Sequence, residues 1–388
     1  MTASPVRLRA GEARWHTAAQ VLAWLRRNPG GTRAALARDL GLASGLATEI
    51  TGRLRGLNLL VETPAARTGR GRPTTVLGPH PAGPVVLAVD VRPRDWRSAI
   101  VAVDGELREP ATARHPSPRA ADVLAAVRER VDAAQLAYGP RLRAVSLAVA
   151  GTVHGGRLRQ SATLGWRDVD PGPVAAGLPL LLGNDATLAG VAEARTGAAV
   201  GAATALHLMV GVGIGGTVTV DGHPLTGSHG AAGEYGHQPY GDRNVLCPCG
   251  ARGCWDLEVD GRALARHLGL AQPADPAELA LSMLDDAAAR PAVERVSGAL
   301  GAGTGALVNA HDPAVVTLGG LAAPIRKAAP EAFERAYLDG LMAVHRGQPP
   351  AVVDAVHGSD GPLRGAAILG LDHITSEAAL AAWATAAG

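Results

Sequence analysis

Aromatic residues make up only 3% of this 388-residue chain, with a single phenylalanine, so its core has to be built mainly from Ala, Leu and Val. Lysine is nearly absent as well. Lys327 is the only one, and arginine carries the rest of the positive charge, so arginine enrichment in any one segment is weak evidence by itself. Cysteine is almost as scarce, with three in all, and they suit a reduced compartment better than a disulfide framework. Residues Met1 to Arg14 are basic and contain no apolar run fit for a secretory signal. The uncharged stretch from Thr196 to Val220 is long enough for a membrane span, but it holds His207 and glycines at 197, 201, 211, 213, 215 and 216. Strands and loops fit that pattern better than a lipid-facing helix. The expectation is a cytoplasmic protein with no membrane partner.

Hydrophobic residues at 47% and charged residues at 19% describe a globular chain long enough for two or three domains. The net charge of +2 hides an asymmetry. Residues 1–80 carry twelve arginines against Glu12, Asp39, Glu49 and Glu62, a balance of +8, which leaves −6 for the remainder. A basic head on an acidic body points to an anionic partner for the head alone.

Local patterning in the head agrees with that. Ala18, Val21, Leu22 and Leu25 recur at helical spacing until Pro29-Gly30-Gly31 stops the helix. Thr32 can cap a second helix through Leu40, and Ser44 a third, with Leu46, Ala47, Ile50 and Leu54 facing inward. Ser44, Gly45, Thr48 and Thr51 would then remain outside to contact DNA, in a helix-turn-helix arrangement. Two short strands, Leu59 to Glu62 and Thr74 to Leu77, flank an Arg- and Gly-rich segment that completes a winged helix. Arg70 and Arg72 in that wing can reach phosphates or a narrow minor groove; a solvated linker is the alternative for such a run standing alone. Two heads are needed to read paired half-sites, so at least a homodimer, or a homotetramer, is expected on a double-stranded operator.

From Val85 onward, short buried strands alternate with helical stretches such as Ala120 to Gln135, which indicates an α/β domain. Asn184 and Asp185 follow the strand Leu180 to Leu182, where a carboxylate at a strand end can accept a hydrogen bond from a hydroxyl. All three cysteines cluster as Cys247-Pro-Cys249 and Cys254, ten residues and more beyond His237 in the box Gly233-Glu234-Tyr235-Gly236-His237. Three thiolates and an imidazole form a closed tetrahedral zinc set with no position left for a catalytic water, so the metal would be structural. Three neighbouring free thiols are the alternative.

The spacing from His237 through Cys254, with its Gly-Glu-x-Gly-His box, resembles the signature of the ROK family of repressors, open reading frames and sugar kinases. The Arg- and Gly-rich wing ending in Pro73 is similar to that of ROK repressors. The resemblance implies an actin-like, two-lobed domain over 81–388, with the lobe boundary near 185–190, behind a winged helix-turn-helix over 1–80. It also implies that Asn184, Asp185, Glu234 and His237 hold a sugar, with Asp185 the base where the family phosphorylates. A family Glu two residues past the last cysteine is here Asp256, one methylene shorter. His237 would serve twice, one ring nitrogen on zinc and the other toward the sugar.

The phosphate side departs from the kinase pattern. Where ROK kinases carry Asp-x-Gly-Gly-Thr, this chain has Asp90-Val91-Arg92-Pro93-Arg94, and Pro93 has no N–H to offer a phosphate. Gly211-Val212-Gly213-Ile214-Gly215-Gly216 keeps its glycines but has Val212 in place of the family threonine. The reading is a sugar-responsive DNA-binding regulator, a repressor of carbohydrate genes, that is not an enzyme. A sugar kinase with an accessory DNA-binding head is the competing reading.

Overall fold

The computed structural model describes residues 10–65 and 75–387. The head begins with helices α1 (Ala10–Arg27), α2 (Arg33–Asp39) and α3 (Ser44–Gly56), followed by strands β1 (Leu60–Pro64) and β2 (Thr75–Pro79). Ala18, Val21, Leu22, Trp24 and Leu25 form the buried stripe of α1. Thr32 caps α2 by accepting the Ala35 N–H at 3.1 Å, which satisfies one of the donors a helix start leaves free. β1 and β2 pair antiparallel from Leu60↔Pro79 to Pro64↔Thr75. Arg67, Arg70 and Arg72 lie outside the described residues.

Two details of α3 differ from the sequence expectation. Its buried stripe is Ala47, Ile50, Thr51 and Leu54, while Leu46 is 42% exposed. Thr51 is therefore not available to DNA. Its position four residues after Ala47 and three before Leu54 puts it on the inner column, and its hydroxyl donates to the Ala47 carbonyl at 2.7 Å, so its burial leaves no group unpaired. Ser44 is the first helical residue and does not cap; Ala43 holds that position without a side-chain bond.

The body starts with β3 (Val85–Val91), β4 (Asp95–Ala102), β5 (Leu107–Arg114), α4 (Ala120–Tyr138) and β6 (Leu142–Val149). Next come β7 (Thr152–His154), β8 (Arg157–Ser161), β9 (Trp166–Val169), β10 (Leu180–Asn184) and α5 (Asp185–Thr196). The first large sheet has the order β10-β6-β3-β4-β5, and β7, β8 and β9 make a separate small sheet. β3 is buried along all of its seven residues, as expected of a strand covered on both faces.

The second half holds β11 (Thr204–Gly211), β12 (Gly213–Val220), β13 (His223–Pro224), α6 (Asp256–Val259), α7 (Gly261–His267), α8 (Pro276–Met283) and α9 (Arg290–His311). It continues with β14 (Val315–Gly320), α10 (Ala322–Ala328), α11 (Pro330–Gly340), α12 (Ala343–Arg346) and β15 (Ala351–Asp354). The chain closes with α13 (Gly361–Ile374) and α14 (Glu377–Ala387). The second large sheet is ordered β13-β12-β11-β14-β15. The uncharged stretch around 200–220 is thus a pair of strands, and no helix among the described residues is long and apolar enough to cross a membrane.

The second sheet packs around Trp255, Leu300, Phe333 and Tyr337. On the first sheet, Val123, Val127 and Val131 of α4 join one core. Leu363, Ala366 and Leu371 of α13 join the other, against Val86 and Ala88. Although α13 follows β15 of the second sheet, it packs on the first, so α5 and α13 both run between the two halves and lie against each other. Gly365 permits this contact, because a Cβ there would strike the Leu188 carbonyl. α14 then returns to the head, where Leu380 and Val103 are buried with Leu22, Leu25 and Leu54, and Trp383 donates its indole N–H to the Leu57 carbonyl at 2.8 Å.

Candidate functional site

β10 delivers Asn184 and Asp185 to the junction of the two halves. The Asn184 side chain caps α5, accepting the Thr187 N–H at 2.8 Å, and its amide donates to the Gly151 carbonyl at 3.0 Å. Asp185 accepts the Ala186 N–H at 2.9 Å through one oxygen. Burial, reinforced by the nearby charge of Asp90 and to a smaller extent by Glu234, pushes the Asp185 carboxyl up to about 7.

Asp90, on β3, has a different environment. Its neighbour across the β3–β4 hairpin is Arg97, whose guanidinium lies 3.0 Å from the Asp90 carboxylate and 2.7 Å from that of Asp360. Arg97 also donates to the Ser359 carbonyl. Burial raises the Asp90 pKa and Arg97 pulls it back. Arg92 and Asp95 close the tight turn around Pro93 with a 2.6 Å hydrogen bond.

The opposite wall comes from the loop after β13. Glu234 accepts the Thr152 hydroxyl at 2.7 Å, a bond that joins the two halves. The same loop brings His229 to His154, ring centres 5.9 Å apart. In the Gly-Glu-Tyr-Gly-His box, Gly236 leaves room for Asp256, whose carboxylate a Cβ would strike. Asp256 accepts the Ile214 N–H at 2.6 Å with one oxygen and places the other 3.7 Å from His237 Nδ1. Glu234, His237 and Asp256 are therefore contiguous, and Asp185 lies within reach of Glu234's charge.

His237 faces two ways. Nε2 is 3.9 Å from Glu234, while Nδ1 is 3.9 Å from Cys247 Sγ. Cys249 and Cys254 sulfurs are 3.6 Å apart, and all four ligand atoms lie within 4.8 Å of one another. Zinc–sulfur bonds of about 2.3 Å at tetrahedral angles place two sulfurs roughly 3.8 Å apart, so the cluster is compatible with that ion. The hydrogen bond from Cys247 N–H to the Ala251 carbonyl, 2.8 Å, folds the ligand loop back on itself. Burial, with the adjacent thiols, pushes Cys254 up to about 12; a cation is what would hold three thiolates here.

The side chains sequence reasoning missed are Thr152, Arg97 and Asp360. Arg97 left a legible signal, since a turn at Pro93 sets residue 97 opposite residue 90. Thr152 and Asp360 left none, because their partners are 82 and 263 positions away. On the head, Arg55 falls in the same exposed column of α3 as Ser44 and Thr48, a position the sequence reading passed over.

Residues 86–373 match the model of the ROK family. Glucokinase from Streptomyces coelicolor is 28% identical over 213 residues, an alignment that spans 52% of this chain and 65% of the kinase. The xylose repressor of Bacillus subtilis is 28% identical over 158 residues, covering 39% of this chain and 41% of the repressor. Among solved structures, the ROK hexokinase from Thermus thermophilus superposes with a TM-score of 0.59 at 30% identity, over 74% of this chain and 97% of that one. A ROK family transcriptional regulator described as a homologue of the E. coli Mlc protein superposes at 0.75 over 96% of this chain and 99% of its own, at 20% identity, a likeness of fold.

Proposed function

The chain belongs to the ROK family, and on that premise we propose that it is a DNA-binding transcriptional regulator whose affinity for its operator is set by a sugar. The chain divides near residue 80 into a winged helix-turn-helix head and a sugar-binding body. The observation that carries the choice between regulator and kinase is the state of Asp90. In this reading its carboxylate would face a metal and phosphates in a kinase; here the Arg97 guanidinium occupies it, and Pro93 turns the chain where N–H groups would cradle a phosphate.

In the body, Asp185, Glu234, His237 and Asp256 converge as acceptors and donors for sugar hydroxyls, with Asn184 holding the start of α5 that presents Asp185. A site of this kind discriminates strongly, because a missing hydroxyl strands a buried polar partner. Zinc held by His237, Cys247, Cys249 and Cys254 would fix the loop that carries Glu234 and orient the His237 ring. Sugar bound between the halves bridges Thr152 and Glu234 and shifts α5 and α13, which reach the head through α14. The head reads DNA with Ser44, Gly45, Thr48 and Arg55 of α3 and with Arg70 and Arg72. The protein acts in the cytoplasm as a dimer or tetramer and represses carbohydrate uptake or catabolism genes.

A second reading, a sugar kinase with a DNA-binding head, draws on Asp185, whose carboxyl near 7 suits a general base. One measurement separates the readings, and another tests the DNA interface that both share. Wild-type protein should show no sugar-dependent ATP hydrolysis with any hexose or amino sugar, and robust turnover would establish the kinase. In an operator titration, Arg55→Ala should lower the slope of log affinity against log salt by about one unit; an unchanged slope removes α3 from the interface.

A further inference from the structure

A cleft of about 270 Å³ opens where α1 of the head meets the two helices that join the halves of the body, and Arg26, Arg27, Arg195 and Arg364 line it together with His357. Arg26 lies 2.8 Å from Asp372 and donates to the Thr375 hydroxyl at 2.6 Å. Arg195 approaches the same Asp372 carboxylate at 3.7 Å, so two guanidiniums share one anion. The Arg26 side chain is only 8% exposed, yet its Nε has no partner. The side chains of Arg27 and Arg364 make no hydrogen bond or ion pair with any described residue.

Two acids also line the cleft, Asp104 and Glu106. Asp104 is already engaged by Arg108 through contacts of 2.8 and 2.6 Å. With that pair cancelling, four guanidiniums stand against Asp372, Glu106 and Glu193, the last accepting the His357 N–H at 2.9 Å, an excess of one positive charge. A desolvated guanidinium with an unused N–H is costly to leave unpaired. Its planar fork matches phosphate oxygens, and two unpaired neighbours supply the remaining donors.

We propose that this cleft is a second ligand site, for a small phosphate dianion, either inorganic phosphate or the phosphate group of a small metabolite. It is separate from the Asp185–Glu234 cleft and does not rest on the sugar reading. The dianion takes the free donors of Arg27 and Arg364 beside the buried Arg26 guanidinium, and it touches α1, the end of α5, the segment after β15 and α13 together. Occupancy ties the head to both connecting helices.

Calorimetry of the full-length protein with inorganic phosphate, at fixed ionic strength set by chloride, tests the site. Wild type and an Arg167→Gln surface control should bind one equivalent saturably, and sulfate should compete. The Arg27→Gln/Arg364→Gln double variant should lose about tenfold or more in affinity, the scale expected for removing charge-assisted donors. Its phosphate-free melting temperature should match wild type, which separates loss of the site from loss of the fold. Glucose 6-phosphate titrated into Asp185→Ala protein, whose body cleft is disabled, distinguishes the sources: tighter binding than phosphate assigns an ester, equal or weaker binding assigns the free ion. Absence of saturable phosphate binding by wild type, or equal affinity in the double variant, overturns the proposal.

Discussion

Asp90 and Asp185 stand near each other at the ends of strands in one sheet, Asp90 fully buried and Asp185 partly so, yet the structure treats them in opposite ways. Asp90 is matched by Arg97 at 3.0 Å. Asp185 has no cation beside it and is pushed up to about 7 by burial and by Asp90 itself. A buried carboxylate that is paired holds the fold together, whereas one left unpaired is held at a cost the protein recovers only when a ligand arrives. In the proposed reading, this comparison is between a phosphate side closed by ion pairs and a hydroxyl side left chemically open.

The strongest test of that contrast is Arg97→Ala. Removing the guanidinium strands Asp90 in the core, and a loss of about 3–5 kcal/mol is expected in urea unfolding at neutral pH. The companion variant Arg97→Ala/Asp90→Asn should recover much of it; a single variant as stable as wild type would show that the pair is decorative.

Asp185→Asn should act in the other direction. Because the folded-state pKa of Asp185 lies above its unfolded value near 3.8, the folded protein binds this proton more tightly. The stability it contributes is full below about pH 4 and is lost as pH rises toward 7, with a slope of at most about 1.4 kcal/mol per pH unit. The Asn variant should flatten that slope, gain stability at pH 8 and lose its response to sugar. A pH profile identical to wild type would mean Asp185 is not held as described.

Zinc sharpens the comparison from the hydroxyl side. Cys249→Ser, or exhaustive chelation, should release the metal, loosen the loop carrying Glu234 and His237, and weaken sugar binding about 10- to 100-fold. Freshly purified, chelator-free protein without zinc by elemental analysis would remove the metal from the account.

The smallest expected effect is at Thr152→Val, which deletes the hydroxyl bonded to Glu234. A loss of about 1 kcal/mol in sugar affinity is expected by calorimetry, with the overall fold unchanged. A loss as large as that from Asp185→Asn would make the bridge between halves a principal part of recognition.

Legibility in the sequence followed distance along the chain. The candidate metal ligands span His237 to Cys254, close enough for turn residues and ligand spacing to imply one cluster, and the structure gathers them within 4.8 Å. Thr51 was misplaced because adjacent columns of a short helix differ by little in sequence, and only packing against α1 and β1 decides which is inside. The sequence by itself determined the alternation of strands and helices, the Thr32 cap, the turn at Pro93 and the His–Cys quartet, since each depends on residues a few positions apart. Tertiary structure alone decided that Arg97 also reaches Asp360, that Thr152 meets Glu234 across the cleft, and that α14 completes the core of the head. Those contacts join residues 82 to 326 positions apart, and no local spacing encodes which distant groups burial will bring together.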